Sequence, residues 1–199
     1  HEIGFCETRG SLYYAVTLRG NYAYFVGFDG MQVLDISDPS NPATCGFYET
    51  AGSVEDIAIA GDYAYVTVDV DITVGVDQDL QVMDISDPSN LREVGTYDTP
   101  GYASEVAVIG DCAYVVDVEG LRVMDISDPL NLTEAGVFDT PGSAGGIAVT
   151  SDYIYVADTK DGLLVLRFTG GADTASPTMV GISPEDGATD VHIDTVVTA

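Results

Sequence analysis

Asp-Ile-Ser-Asp-Pro occurs three times in this chain, at Asp35–Pro39, Asp84–Pro88 and Asp125–Pro129. A second signature stands ahead of each copy: Gly20-Asn-Tyr-Ala-Tyr24, Gly61-Asp-Tyr-Ala-Tyr65 and Gly110-Asp-Cys-Ala-Tyr114. A fourth, Ser151-Asp-Tyr-Ile-Tyr155, has no Asp-Ile-Ser-Asp-Pro after it. Successive signatures are 41, 49 and 41 residues apart. A period near 40, filled with short apolar runs and turn residues, describes a unit of about four strands that stacks on its neighbours as a propeller blade.

Residues 92–139 serve as the template. Gly and Pro mark strand ends, and helical periodicity is absent. The pattern predicts strand a over 104–109, b over 112–117, c over 121–127 and d over 133–138. Apolar residues fall on both faces of a and b, as sheets stacked between neighbouring blades require. Asp29-Gly30 and Asp161-Gly162 supply the positive φ of a tight hairpin. In Asp-Ile-Ser-Asp-Pro the second Asp caps its own turn and Pro presets φ, so these aspartates read as structural.

The signatures resemble the LVIVD repeat family of β-propellers, found in bacterial and archaeal surface proteins. The resemblance is carried by Gly61-Asp-Tyr-Ala-Tyr-Val66, Leu80-Gln-Val-Met-Asp-Ile-Ser-Asp-Pro-Ser-Asn90 and Val94-Gly-Thr-Tyr-Asp-Thr-Pro-Gly101, and covers about residues 1–168. It implies a propeller and an extracellular setting, and supplies no catalytic residues.

Both ends of the chain carry strand-like segments. His1–Gly10 aligns with Arg92–Gly101 and reads as a d strand with no a, b or c before it. The last repeat has a, b and c but replaces Asp-Ile-Ser-Asp-Pro with Arg167-Phe-Thr-Gly170. The expected fold is therefore all-β, a four-bladed β-propeller with blades at 12–49, 54–98, 104–139 and 146–168, the last completed by residues 1–8. Residues 1–170 form the propeller, and 171–199 are a C-terminal β extension. Within that extension Ser176–Ile182 resembles Asn41–Phe47, which gives five d-like strands for four a–b–c sets. One edge cannot accept two strands, and an exposed edge invites pairing with another chain. A rival reading takes 177–191 as the opening of a bacterial Ig-like domain in a longer surface protein.

The charge narrows the partners. The chain has 33 acidic and 6 basic residues, net −27. Such a surface repels nucleic acid and anionic membranes, and it suits a salty or calcium-containing medium. Hydrophobic residues make up 46%, enough for a core. No apolar run has the length of a membrane span, so no membrane insertion is expected. The chain begins at His1 without a signal peptide, which reads as a processed or excised chain.

The repeat with the longer spacing holds an insertion in its b–c hairpin, Thr67–Asp79. Acidic and apolar residues alternate along it, so Asp69 and Asp71 share a face, and Asp77 and Asp79 lie across from them in an extended hairpin. Four close carboxylates favour a hard cation, and Ca²⁺ is the expected ligand. The competing reading is a solvated acidic face, since no complete calcium-loop motif is present. The opposite face, Val70, Ile72, Val74 and Val76, either covers the neighbouring blade or meets another subunit.

The three cysteines sit at apolar or aromatic repeat positions; Cys112 replaces Tyr22, Tyr63 and Tyr153. They read as buried free thiols, with a Cys6–Cys45 disulfide as the alternative in an oxidising compartment. Asn131-Leu-Thr133 is the one glycosylation sequon, which makes Asn131 a candidate glycan site. His1 and His192 lie at the ends, and no nucleophile, P-loop or zinc-protease motif accompanies them. The expectation is a non-catalytic extracellular structural protein that self-assembles into a filament or surface layer through terminal strand exchange. The alternative is a ligand- or carbohydrate-binding adhesion module. A hydrolase working at the propeller axis is the third reading, marked by an acid with a perturbed pKa in an axial pocket.

Overall fold

The computed structural model describes residues 1–9, 12–69, 80–168 and 179–182. Among these residues, sixteen strands form four antiparallel four-stranded sheets, each a blade. Blade 1 holds β1 (Tyr13–Arg19), β2 (Tyr22–Gly27), β3 (Gly30–Asp35) and β4 (Ala43–Tyr48). Blade 2 holds β5 (Ser53–Ala60), β6 (Tyr63–Asp69), β7 (Leu80–Asp84) and β8 (Arg92–Tyr97). Blade 3 holds β9 (Ala103–Ile109), β10 (Cys112–Asp117), β11 (Gly120–Asp125) and β12 (Thr133–Asp139). Blade 4 holds β13 (Ala144–Val149), β14 (Ile154–Asp158), β15 (Gly162–Phe168) and β16 (Met179–Ile182). Among the described residues there is no helix.

The turns follow the chemistry of their residues. Gly20, Gly61 and Gly110 take φ of +56°, +57° and +58° between the first two strands of blades 1–3. Only glycine enters that region at no steric cost. Strand c ends two residues earlier than the template predicts, at Asp125 rather than Ser127. The reason lies in the turn. The Ile126 N–H donates to the Asp111 carbonyl at 2.9 Å, and Ile36 and Ile85 do the same to Asn21 and Asp62 at 2.8 and 2.9 Å. Each Asp-Ile-Ser-Asp-Pro is thus tied to the Gly-Asn/Asp-Tyr/Cys turn of its own blade. The first Asp of each copy accepts the N–H of the serine two residues on, at 2.8 Å in Asp35, 2.9 Å in Asp84 and 2.9 Å in Asp125. These serine hydrogen bonds hold all three carboxyls below the usual carboxylate range.

Three apolar clusters hold the blades together, one per contact between successive blades. Tyr24, Val26, Met31 and Val33 of blade 1 meet Ile57, Val66, Met83 and Ile85 of blade 2. Tyr65, Leu80 and Val82 of blade 2 meet Val106, Val115, Met124 and Ile126 of blade 3. Tyr114, Leu121 and Val123 of blade 3 meet Ile154, Val156, Leu164 and Leu166 of blade 4. Every blade therefore has a forward face and a rear face, both apolar, and the two faces alternate along each strand with period two.

The all-β, four-bladed architecture is as expected, but the closing strand is not residues 1–8. The outer strand of blade 4 is β16, which pairs with β15 in the register Val165↔Ile182 to Phe168↔Met179. Residues 1–8 rest on blade 1, where a side chain on Gly4 would overlap the Pro39 carbonyl oxygen, and β1 and β13 do not pack together as successive inner strands do, so β15 takes its partner from the segment that follows it in the chain. The Ser176–Ile182 segment thus behaves as the d-like strand its resemblance to Asn41–Phe47 indicates.

Candidate functional site

Residues 1–8 are not a strand here, yet they occupy a definite place. A side chain on Gly46 would overlap the carbonyl oxygen of Pro88, and one on Gly95 would lie 2.9 Å from that of Pro129. In both cases the outer strand of one blade rests on the Asp-Pro turn of the next. A side chain on Gly4 would overlap the carbonyl oxygen of Pro39 in the same way. The segment therefore lies where the outer strand of a blade ahead of blade 1 belongs. The Arg9 N–H holds it there by donating to Gln32 Oε1 at 2.7 Å, and the Arg9 guanidinium sits 5.0 Å from the centre of the Phe47 ring.

No blade fills that place. The inner strands β1, β5, β9 and β13 pack side by side in sequence, but β13 and β1 make no comparable contact. Among the described residues, two blade faces are open in part, although Ala23, Gln32 and Leu34 on the rear face of blade 1 are buried. On the rear face of blade 1, Val16 and Leu18 are 57% and 64% exposed, whereas Ile57 and Val106, which match Val16 in register, are 6% and 5% exposed. On the forward face of blade 4, Leu163 is 53% exposed, whereas its register equivalents Met31, Leu80 and Leu121 are at most 1% exposed. The same residue types are core in three places and surface at the two ends.

The edges of the inner strands carry a device that the sequence reading did not single out. Asp56 Oδ2 accepts the Val106 N–H at 3.0 Å, and Glu105 Oε2 accepts the Ile147 N–H at 2.9 Å. Each carboxylate reaches across to the next blade and satisfies a donor on an inner edge that no strand pairs. Burial pushes the Asp56 carboxyl up. The signal was present in the sequence as an acid at the same register position of β5 and β9; Ala15 and Gly146 take that position in the other blades.

Blade 3 contains a second polar cluster. Arg122 is 6% exposed and donates to Asp117 Oδ2 at 2.7 Å, Glu134 Oε2 at 3.0 Å and Glu119 Oε2 at 3.3 Å. Asp117 is fully buried and also accepts the Glu119 and Gly120 N–H groups at 2.8 and 2.9 Å. Repetition places Gln32 and Gln81 at the position of Arg122, so blade 3 differs here by one charged pair.

Of the four carboxylates proposed for Ca²⁺, Asp69 is exposed at the end of β6, and Asp71, Asp77 and Asp79 lie outside the described residues. Asp69 lines a cleft of about 620 Å³ between blades 1 and 2, together with Phe28, Asp29, Glu49 and Ser53. Among the described residues no three acidic, histidine or cysteine side chains group closely enough to hold a metal. Cys6, Cys45 and Cys112 are free thiols, each half-buried rather than fully buried, and no Cys6–Cys45 bond is formed. Burial pushes the Cys45 and Cys112 thiols up. Asn131 is exposed, and its amide donates to Asp128 Oδ2 at 2.8 Å.

Comparison with known proteins agrees with this geometry. The fold is similar to that of the computationally designed Ika8 protein in its crystal structure, with TM-score 0.66 and 10% identity, covering 83% of this chain and 48% of that one. It is also similar to the computationally designed Ika4 protein, with TM-score 0.64 and 15% identity, covering 84% of this chain and 98% of that one. The chain thus spans about half the length of Ika8. At these identities the likeness is one of fold alone. No curated protein matches the chain. The family model described as LVIVD repeat matches four times, at residues 14–50, 51–99, 100–140 and 141–183, and its fourth copy includes β16. Four blades, each matched by one copy of that repeat, place the chain in the LVIVD repeat family.

Proposed function

We propose that this chain is a non-catalytic structural module that works outside the cell by associating with further copies of itself, end blade to end blade, with the N-terminal segment exchanged between copies. The observation that carries the reading is the pair of open faces, with Val16 and Leu18 exposed on blade 1 and Leu163 on blade 4. Burying such side chains is worth about 1.5–3 kcal/mol each, and the three internal contacts between blades already use this chemistry. An extracellular or cell-surface setting fits the net charge of −27, because dissolved salt or calcium there screens the carboxylates.

The test is solution mass as a function of concentration, in at least about 0.15 M salt so that the charge is screened. The parent chain is expected to exceed one-chain mass, and a Val16→Asp, Leu18→Asp variant to remain a single folded chain by circular dichroism. A parent chain that stays single at every concentration defeats the proposal.

A second reading is supported by the cleft lined by Phe28, Asp29, Glu49, Ser53 and Asp69, which has the size of a small-ligand site and would serve a carbohydrate- or ligand-binding adhesion module. Asp69 of that cleft is also one of the four carboxylates, with Asp71, Asp77 and Asp79, proposed to bind Ca²⁺. Calcium is expected to raise the melting temperature by mass action and chelator to lower it. An unchanged melting temperature in Asp69→Asn and parent alike, with and without calcium, would remove the metal.

A further inference from the structure

We infer that two copies of this chain close head to tail into one ring of eight blades, four from each copy, and that residues 1–8 of each copy serve as the outer strand of the other copy's blade 4. The inference rests on the self-association proposed above and specifies its geometry.

Four observations point to a closed ring of two. The open faces are complementary, since the rear face of blade 1 repeats the side chains that blades 2, 3 and 4 bury, and the forward face of blade 4 repeats those that blades 1, 2 and 3 bury. The charges permit the contact. Blade 2 (53–97) has ten acids against Arg92, and blade 3 (103–139) eight against Arg122. Blade 1 has only Asp29, Asp35 and Asp38 against Arg19, and blade 4 (144–168) only Asp152, Asp158 and Asp161 against Lys160 and Arg167. The acidity is concentrated in the middle blades, so the two faces that must meet are the least repulsive in the molecule. The carboxylate bridge between inner strands is not needed at this contact, because blades 1 and 2 already pack with Ala15 at that position. Finally, the blades follow one another in an arc that the single chain does not close, and an arc of the same fold fits about half of a longer chain. Head-to-tail contacts close into rings when the rotation allows and run on as filaments when it does not. From the match to 48% of the longer Ika8 chain we take four blades as half a circuit, and two copies then close it.

The exchange of residues 1–8 follows from a steric conflict. When the second copy's blade 4 seats on blade 1, its outer strand arrives at the place where residues 1–8 already rest on Pro39. Two strands cannot share it. β16 is a four-residue strand, whereas residues 1–8 are anchored on blade 1 through Gly4 and Arg9. β16 therefore yields, and residues 1–8 pair with β15 of the other copy. Such strand addition satisfies backbone groups along an edge and locks the two copies together.

Sedimentation equilibrium and native mass spectrometry of the 199-residue chain test the proposal. A species of twice the chain mass that does not grow with concentration supports it, as do electron-microscope class averages with eight blades. Removal of 1–8 is expected to weaken the dimer at least tenfold, while removal of 176–199 leaves it intact or tightens it. A ladder of higher masses would keep the self-association and overturn the ring. A single chain at all concentrations would overturn both. A dimer unaffected by loss of 1–8 would overturn the exchange, and with it the proposal as stated.

Discussion

Replacing Arg122 with alanine is expected to lower stability by roughly 3–5 kcal/mol, enough to lower the melting temperature by on the order of 10 °C in a domain of this size. The guanidinium is enclosed and faces Asp117, Glu119 and Glu134, of which Asp117 has no exposed surface. Removing the cation leaves the Asp117 carboxylate buried without a countercharge, while the Glu119 and Gly120 N–H groups still donate to it. The penalty is the desolvation of that orphaned charge rather than the intrinsic worth of the ion pair. Blade 2 supplies the control. It builds the same place from Val68 and Gln81, register equivalents of Asp117 and Arg122. The double variant Asp117→Val, Arg122→Gln should recover most of the loss, since a buried pair replaced on both sides is often near neutral. Urea denaturation of parent, single and double variants makes the comparison. A double variant as unstable as Arg122→Ala would show that the network, not the orphaned charge, sets the cost.

The second large effect contrasts two leucines that the repeat makes equivalent. Leu121→Ala should lose about 2–5 kcal/mol, because Leu121 fills the contact between blades 3 and 4 and its removal leaves a cavity. Leu163→Ala should change the melting of the dissociated chain by no more than about 0.5 kcal/mol, because Leu163 is 53% exposed there. Melting at low and high chain concentration separates the two conditions. At high concentration the Leu163 variant should lose the extra stability that association confers on the parent. Equal losses at low concentration would mean that blade 4 is covered within one chain.

Much of the molecule was legible before any coordinates. Gly20, Gly61 and Gly110, the Asp-Pro turns and the alternating apolar runs act through contacts a few residues long, so strand order and blade number follow from local chemistry. The acids that bridge blades were harder to read. In the sequence Asp56 and Glu105 are two of 33 acids, and only their approach to Val106 and Ile147 shows what they hold. The expectation that Asp69, Asp71, Asp77 and Asp79 bind calcium rests on alternation alone, and only Asp69 falls within the described residues.

The period, the turns and the two apolar faces of every blade are legible in the sequence, since each depends on residues close together in the chain. Tertiary packing selects which of two matching segments closes blade 4: residues 1–8 are held on blade 1 through Gly4 and Arg9, and β16 pairs with β15. It also decided which copies of a repeated apolar position become core. Val16 and Ile57 are the same kind of residue at the same register, and Leu163 and Leu121 are identical. Burial is a property of what lies opposite, and among the described residues no blade lies opposite Val16 and Leu18 or opposite Leu163.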